Sequence, residues 1–205
     1  FINNGLPEAF EYYWKKIEES GLDKKEFLMC KTEENFSLLQ HTVNQQYFFS
    51  RVLELALSVC NGKEEVESFL IENIFADFDL ISYIACHNSL ENLQILILKI
   101  DEVFGKESLS NLLKDDKFYK ARKLILYPLI RNLDGSFLRY VWSVLKEYFS
   151  PDELVEFFNA KDALGDHLLY ATVVNSQSLE NLELFVEIVM EVFVNKEDLK
   201  KYLLR

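Results

Sequence analysis

Two stretches eighty-nine residues apart constrain the chain most: SLENLQILILKIDEVF at Ser89 to Phe104 and SLENLELFVEIVMEVF at Ser178 to Phe193. A near copy inside one chain means that a unit has been reused, and an internal period decides architecture before domains are counted. In the later copy Leu179, Leu182, Val186, Val189 and Phe193 follow the spacing 3, 4, 3, 4. That spacing places them along one side of an α-helix. Leu90, Leu93, Ile97, Ile100 and Phe104 do the same in the earlier copy. Glu180, Glu183, Glu187 and Glu191 form a polar stripe opposite, so the segment predicts an outer helix with one face on a core and one in water.

The same pattern predicts outer helices at Pro7 to Ser20, Tyr47 to Cys60 and Gly135 to Phe149. Their inward positions are Phe10, Trp14 and Ile17; Phe49, Leu53 and Ala56; and Leu138, Trp142, Leu145 and Phe149. After each outer helix comes a polar break and a short helix ending in bulky apolar residues. The last of these, Leu28, Leu70, Leu113, Phe158 and Leu203, lie 42, 43, 45 and 45 residues apart. Ser150 with Glu153 forms a capping box, Pro151 stands at the first helical position, and Asn61 and Asn195 read as further caps.

A loop of about ten residues follows each short helix, and then an apolar pair opens an inner helix: Leu38 and Leu39, Leu80 and Ile81, Leu124 and Ile125, Leu168 and Leu169. Few charges surround these pairs, which puts the helix between neighbours. No such unit buries its apolar faces alone, so stacking must complete the core. The expectation is an all-α, right-stacked α-solenoid of about four units of 42–45 residues, a single repeat domain with units near 1–28 (partial), 29–70, 71–113, 114–158 and 159–203. The chain begins at Phe1 and starts and ends within a unit, and it reads as a fragment of a longer array.

The segment DALGDHLLYAT, Asp162 to Thr172, resembles the ankyrin-repeat signature, and SLEN resembles the start of an ankyrin outer helix. The resemblance implies a β-turn finger shaped by Asp162 and Gly165, with Gly165 at positive φ and Leu169 buried. It also implies a protein-binding array with no cofactor. The loops TEENFSLL, IFADFDLI and FYKARKLI lack the glycine, Thr-Pro-Leu-His is absent, and ankyrin units are nearer about 33 residues. The surplus is the short third helix. A HEAT or armadillo array, with a period of about 40 to 47 residues, is the alternative.

With 49% apolar residues, 6 Gly and 3 Pro the chain supplies a core and few flexible linkers. A net charge of -12 disfavours a general role on nucleic acid or an anionic membrane and suits a basic protein partner. Lys99, Asp101, Glu187 and Glu191 interrupt the most apolar windows, which excludes a membrane span there. Cys30, Cys60 and Cys86 show no CxxC spacing, so neither a disulfide framework nor a zinc site is expected, and reduced thiols suit cytoplasm or nucleus.

Candidate chemistry is thin. Cys86 and His87 are adjacent, yet a nucleophile needs its base facing it and an orienting third group. They read as a small core cysteine beside a surface histidine, with His41 and His167 as hydrogen-bonding partners of the finger loops. There is no phosphate loop, HExxH or GxSxG, so no catalytic, cofactor or metal residue is assigned. The partner surface is placed at the finger tips: Phe36, Phe75, Phe78, Phe118 and Tyr119, with Lys117, Lys120 and Arg122 of the basic loop KDDKFYKARK. Aromatics flanked by charge are favoured at binding hot spots. The leading function is a non-enzymatic protein-interaction scaffold that presents a concave surface and its finger loops to a partner protein. A structural spacer or self-association region of a larger protein is the alternative, and a nucleic-acid module that uses the basic loop the weaker one.

Overall fold

A computed structural model describes residues 7–33, 36–74, 80, 83–84, 87, 89–107, 110–111, 113–114, 122, 124–126, 135–161, 165–176 and 178–204. The chain forms two compact units, Phe1–Val103 and Phe104–Arg205. Among the described residues every named element is a helix, and the only β pairing is two isolated bridges.

The first unit carries α1 (Pro7–Ser20), α2 (Lys24–Met29), α3 (Leu38–Thr42), α4 (Gln46–Ser58), α5 (Lys63–Ile74) and α6 (Leu90–Phe104), α6 reaching the unit boundary. The outer helices are α1, α4 and α6, and α3 is an inner helix. Helix α4 packs against α3, its hairpin partner, and against α2. The second unit carries α7 (Gly135–Tyr148), α8 (Pro151–Asn159), α9 (Leu168–Asn175), α10 (Leu179–Val192) and α11 (Lys196–Leu203). Here the short helix α8 touches its own outer helix α7, then α9 and α10 of the following repeat, and α7 packs on α10. The contact of α2 with α4 is thus repeated by α8 with α10. These are stacked helical hairpins with repeat-like packing.

Local chemistry sets the boundaries. Ser150 caps α8 with the reciprocal Glu153 bond and Pro151 opens it, and Asn195 caps α11. Ser37 and Gln40 form a second reciprocal box at α3. Asn61 stands two residues before α5 and is not its cap; its backbone N–H donates to the Glu65 carboxylate at 2.9 Å. Gly165 has φ +86°, the left-handed turn that a side chain would strain.

The inward positions of α4 and α7 are all buried: Phe49, Leu53 and Ala56, then Leu138, Trp142, Leu145 and Phe149. In α6 Leu93, Ile97 and Ile100 are buried together with Asn92 and Leu96. The stripe in α10 is rotated from the expected one. Leu179 is 72% and Val186 39% exposed, Leu182 is half-buried, and the core side is Asn181, Leu184, Phe185, Ile188 and Val189. The physical reason is one-sided packing: α10 covers α7 and α8 and turns to them the residues next to the expected stripe.

The expected inner helices at Leu80 and Leu124 fall largely outside the described residues, although Leu80, Leu124 and Ile125 are themselves buried. Leu169 is half-buried, and its neighbour Leu168 takes the fully buried place. Among the described residues no helix is long and apolar enough to cross a membrane.

Candidate interaction surfaces

Polar side chains join each repeat to the next at separations near the period. In the first unit Arg51 of α4 donates Nε and Nη2 to the Glu11 carboxylate at 2.8 and 3.0 Å, and Tyr47 adds its hydroxyl at 3.0 Å. This guanidinium holds Glu11 below the usual carboxylate range, opposed by burial and assisted by Tyr47. Lys25 of α2 bonds Glu65 of α5 at 2.8 Å. In the second unit Lys106 pairs with Glu147, and Lys114 with Glu153 at 2.7 Å. The Lys114 ammonium, and then the Ser150 cap, pull the Glu153 pKa down to about 2.

The copied SLEN motif belongs to the same system. Asn92 is fully buried, and its Nδ2 donates to the backbone carbonyl of Val43, at the end of the preceding inner helix. Asn181, its counterpart, is also buried, and a Cβ on Gly135 would stand 3.6 Å from its Oδ1. The motif is therefore a junction element as well as a helix start. Its asparagine could have been singled out in the sequence as a polar residue kept inside two otherwise apolar faces.

Two finger loops share one frame. Lys31 bridges Ser37 and Lys161 bridges His167, both antiparallel and both closing just before an inner helix. The residue before each bridge is extended, Cys30 at φ -61°, ψ 145° and Ala160 at φ -63°, ψ 143°. Phe36 sits beside the first bridge, partly exposed, with its ring 5.7 Å from Tyr83 and 6.0 Å from His41. Of the expected partner row it is the only aromatic among the described residues; Phe75, Phe78, Lys117, Phe118, Tyr119 and Lys120 lie outside them.

Arg122 is 4% exposed, and its guanidinium donates to the carbonyls of Ala160 and Asp166, which flank the next finger. A planar fork of donors suits two carbonyls that a point charge could not hold together. The residue expected at a partner surface works inside the fold, because burying a guanidinium demands acceptors and the following loop supplies them.

The remaining polar groups offer no reactive constellation among the described residues. His87 is exposed, its Nδ1 2.8 Å from the Tyr83 carbonyl and its ring against Tyr83, while Cys86 lies outside the described residues. The Cys60 thiol donates to the Ala56 carbonyl at 3.2 Å, and burial raises its pKa, which favours the thiol over the thiolate. No group of three His, Cys, Asp or Glu converges on a metal-sized site among the described residues. An open cleft of about 380 Å³ is lined by Gln46, Tyr47, Ser50, Arg51, Glu54 and Ile95. Its cation, Arg51, is already held by Glu11. Comparison with protein-family models, with curated proteins and with solved structures finds no match to this chain.

Proposed function

We propose that the chain is a non-enzymatic protein-interaction scaffold, an ankyrin-like array of 42–45-residue units lengthened by a third short helix. The observation that carries the reading is the finger frame built twice with different contents. Lys31 to Ser37 encloses TEENF and Lys161 to His167 encloses DALGD, behind matching bridges. A constant frame with a variable tip lets a rigid scaffold present different side chains at each repeat, and loops on rigid supports are where binding residues concentrate. The first frame also carries Ser37-Leu38-Leu39-Gln40 where the ankyrin signature has Thr-Pro-Leu-His, again a hydroxyl residue three positions before a polar one. A hairpin-like finger before the inner helix favours this type over HEAT or armadillo stacking.

The partner in this reading is a protein with a basic surface, since a charge of -12 attracts one by electrostatic complementarity. Binding takes place in the cytoplasm or nucleus. Rigid presentation keeps the ordering cost of association low on the scaffold side.

The test is capture of binding proteins from the native cell by the chain and by its Phe78→Ser/Tyr119→Ser double variant, with mass spectrometry of both. The expected result is a basic protein whose affinity falls more than tenfold in the variant while the melting temperature stays nearly unchanged. Recovery of the same proteins by both, or of nucleic acid in place of protein, would overturn the assignment of the finger tips.

A further inference from the structure

The rings of Phe36, Tyr83 and His87 form a row on the first compact unit, away from both ends of the chain. Phe36 stands 5.7 Å from Tyr83, and Tyr83 stands 4.2 Å from His87 with the two planes 37° apart. His41, also exposed, adds a fourth ring 6.0 Å from Phe36. Phe36 and Tyr83 are partly open to solvent and His87 is exposed. Aromatic rings carry a negative π face that attracts cations.

The imidazole of His87 is held in one tautomer. Its Nδ1 lies 2.8 Å from the Tyr83 carbonyl, which can only accept, so the neutral ring keeps its proton on Nδ1 and its lone pair on Nε2. The same carbonyl accepts the His87 backbone N–H at 3.2 Å, and the two bonds tie the ring to the backbone of Tyr83. Among the described residues Nε2 has no hydrogen-bond partner. The row therefore combines exposed aromatic faces with one fixed acceptor.

The repeat folds without these rings. Aligned on Leu80 and Leu168, the last repeat has Ala171 and Asn175 at the places of Tyr83 and His87, and its inner helix α9 forms nonetheless. The charge carried next to the row in sequence is of one sign. Segments 32–36 and 75–79, which lead to Leu38 and Leu80, contain Glu33, Glu34, Asp77 and Asp79 and no Lys or Arg. The nearest cation in sequence is Lys31 at the base of the first finger. Rings beside acidic segments suit a cationic group.

We propose that this row seats an arginine side chain of the basic protein partner, the guanidinium lying against the rings and donating one N–H to Nε2 of His87. The inference rests on the scaffold reading and specifies the chemistry that its partner presents. A guanidinium suits the seat better than an ammonium. It is planar, stacks on aromatic faces, is less strongly hydrated and keeps N–H donors in its own plane for an acceptor beside the stack.

The test is titration of the full chain at about pH 8, where histidine is ordinarily neutral, with a six-arginine peptide and with its six-lysine counterpart. Fluorescence anisotropy gives the affinity, and proton NMR follows the ring C–H signals of the three histidines. His167, in the other compact unit, is the internal control. The His41 and His87 signals should move with the arginine peptide while that of His167 stays, and the lysine peptide should bind about fivefold more weakly. Tyr83→Leu and His87→Ala, which keep the net charge at -12, should each weaken arginine binding by about fivefold to tenfold. Circular-dichroism melts check folding, and His87→Ala, at an exposed position, carries the test if Tyr83→Leu melts early. Equal affinity of the wild type and both variants would mean that diffuse attraction to an acidic protein holds the peptide, and it overturns the proposal. So does equal affinity for the two peptides, or equal movement of all three histidine signals. Absence of peptide binding overturns the seat as well but leaves the scaffold reading standing, because partner capture by the wild type and the finger-tip variant tests that reading separately.

Discussion

The indole N–H of Trp142 donates to the carboxylate of Glu191 at 2.8 Å, across forty-nine residues of sequence and one helix-to-helix junction. Lys146 reaches the other oxygen of the same carboxylate at 2.9 Å, and these two bonds hold Glu191 below the usual carboxylate range. A glutamate on an outer helix is thereby a clamp between α7 and α10, and it differs in kind from its neighbours on the same stripe.

Glu191→Ala should therefore cost about 1 to 2 kcal/mol, since it strands the N–H of a tryptophan that is nearly buried. Glu183→Ala and Glu187→Ala, both exposed, should stay within about 0.5 kcal/mol. Urea melts of the three variants give the ranking. Equal effects would mean that the indole bond contributes nothing to the junction.

Leu93 and Leu182 occupy equivalent places in the two SLEN copies but not equivalent environments, the first fully buried and the second half-buried. Leu93→Ala should cost about 2 to 5 kcal/mol, as buried leucines do, and Leu182→Ala roughly half of that. Chemical denaturation of each variant measures the difference.

Arg122→Lys should destabilise by about 1 to 3 kcal/mol, because one ammonium cannot hold the Ala160 and Asp166 carbonyls as a fork does and a buried charge loses partners. Hydrogen exchange should accelerate locally at residues 160–167, the finger that the guanidinium holds. Uniform acceleration across the second unit would assign Arg122 to the core at large.

Acid should weaken the Lys114–Glu153 contact in a definite window. The folded pKa of Glu153, about 2, lies below the ordinary carboxylate value of 4.5, so the folded state favours the ionised form. Its contribution is fully present above pH 4.5 and is lost as pH falls towards 2. Because Glu153 is partly open to solvent, the effect on stability is small. Glu153→Gln should flatten the fall in urea midpoint across that window. An unchanged acid profile in the variant would show that other carboxylates govern acid unfolding.

Periodicity in the residues determined the helices and their order, because those depend on neighbours three or four positions away, while the capping chemistry was legible at Ser150 and Asn195 and emerged only in the fold at Asp23 and Ser37. Leu138, Trp142 and Leu145 are buried as their spacing requires, and Ser150, Pro151 and Glu153 open α8 as their chemistry requires. Tertiary structure decided which side of each helix meets which neighbour. The same 3, 4, 3, 4 pattern buries Leu93 and Ile97 but leaves Leu179 and Val186 open, since burial depends on a second helix being there to cover the face. Only the stacked helices could bring Glu191 to Trp142, Asn92 to the Val43 carbonyl and Arg122 to the loop beyond, since those partners lie about one repeat away in sequence and hydrogen bonds form only at contact distance.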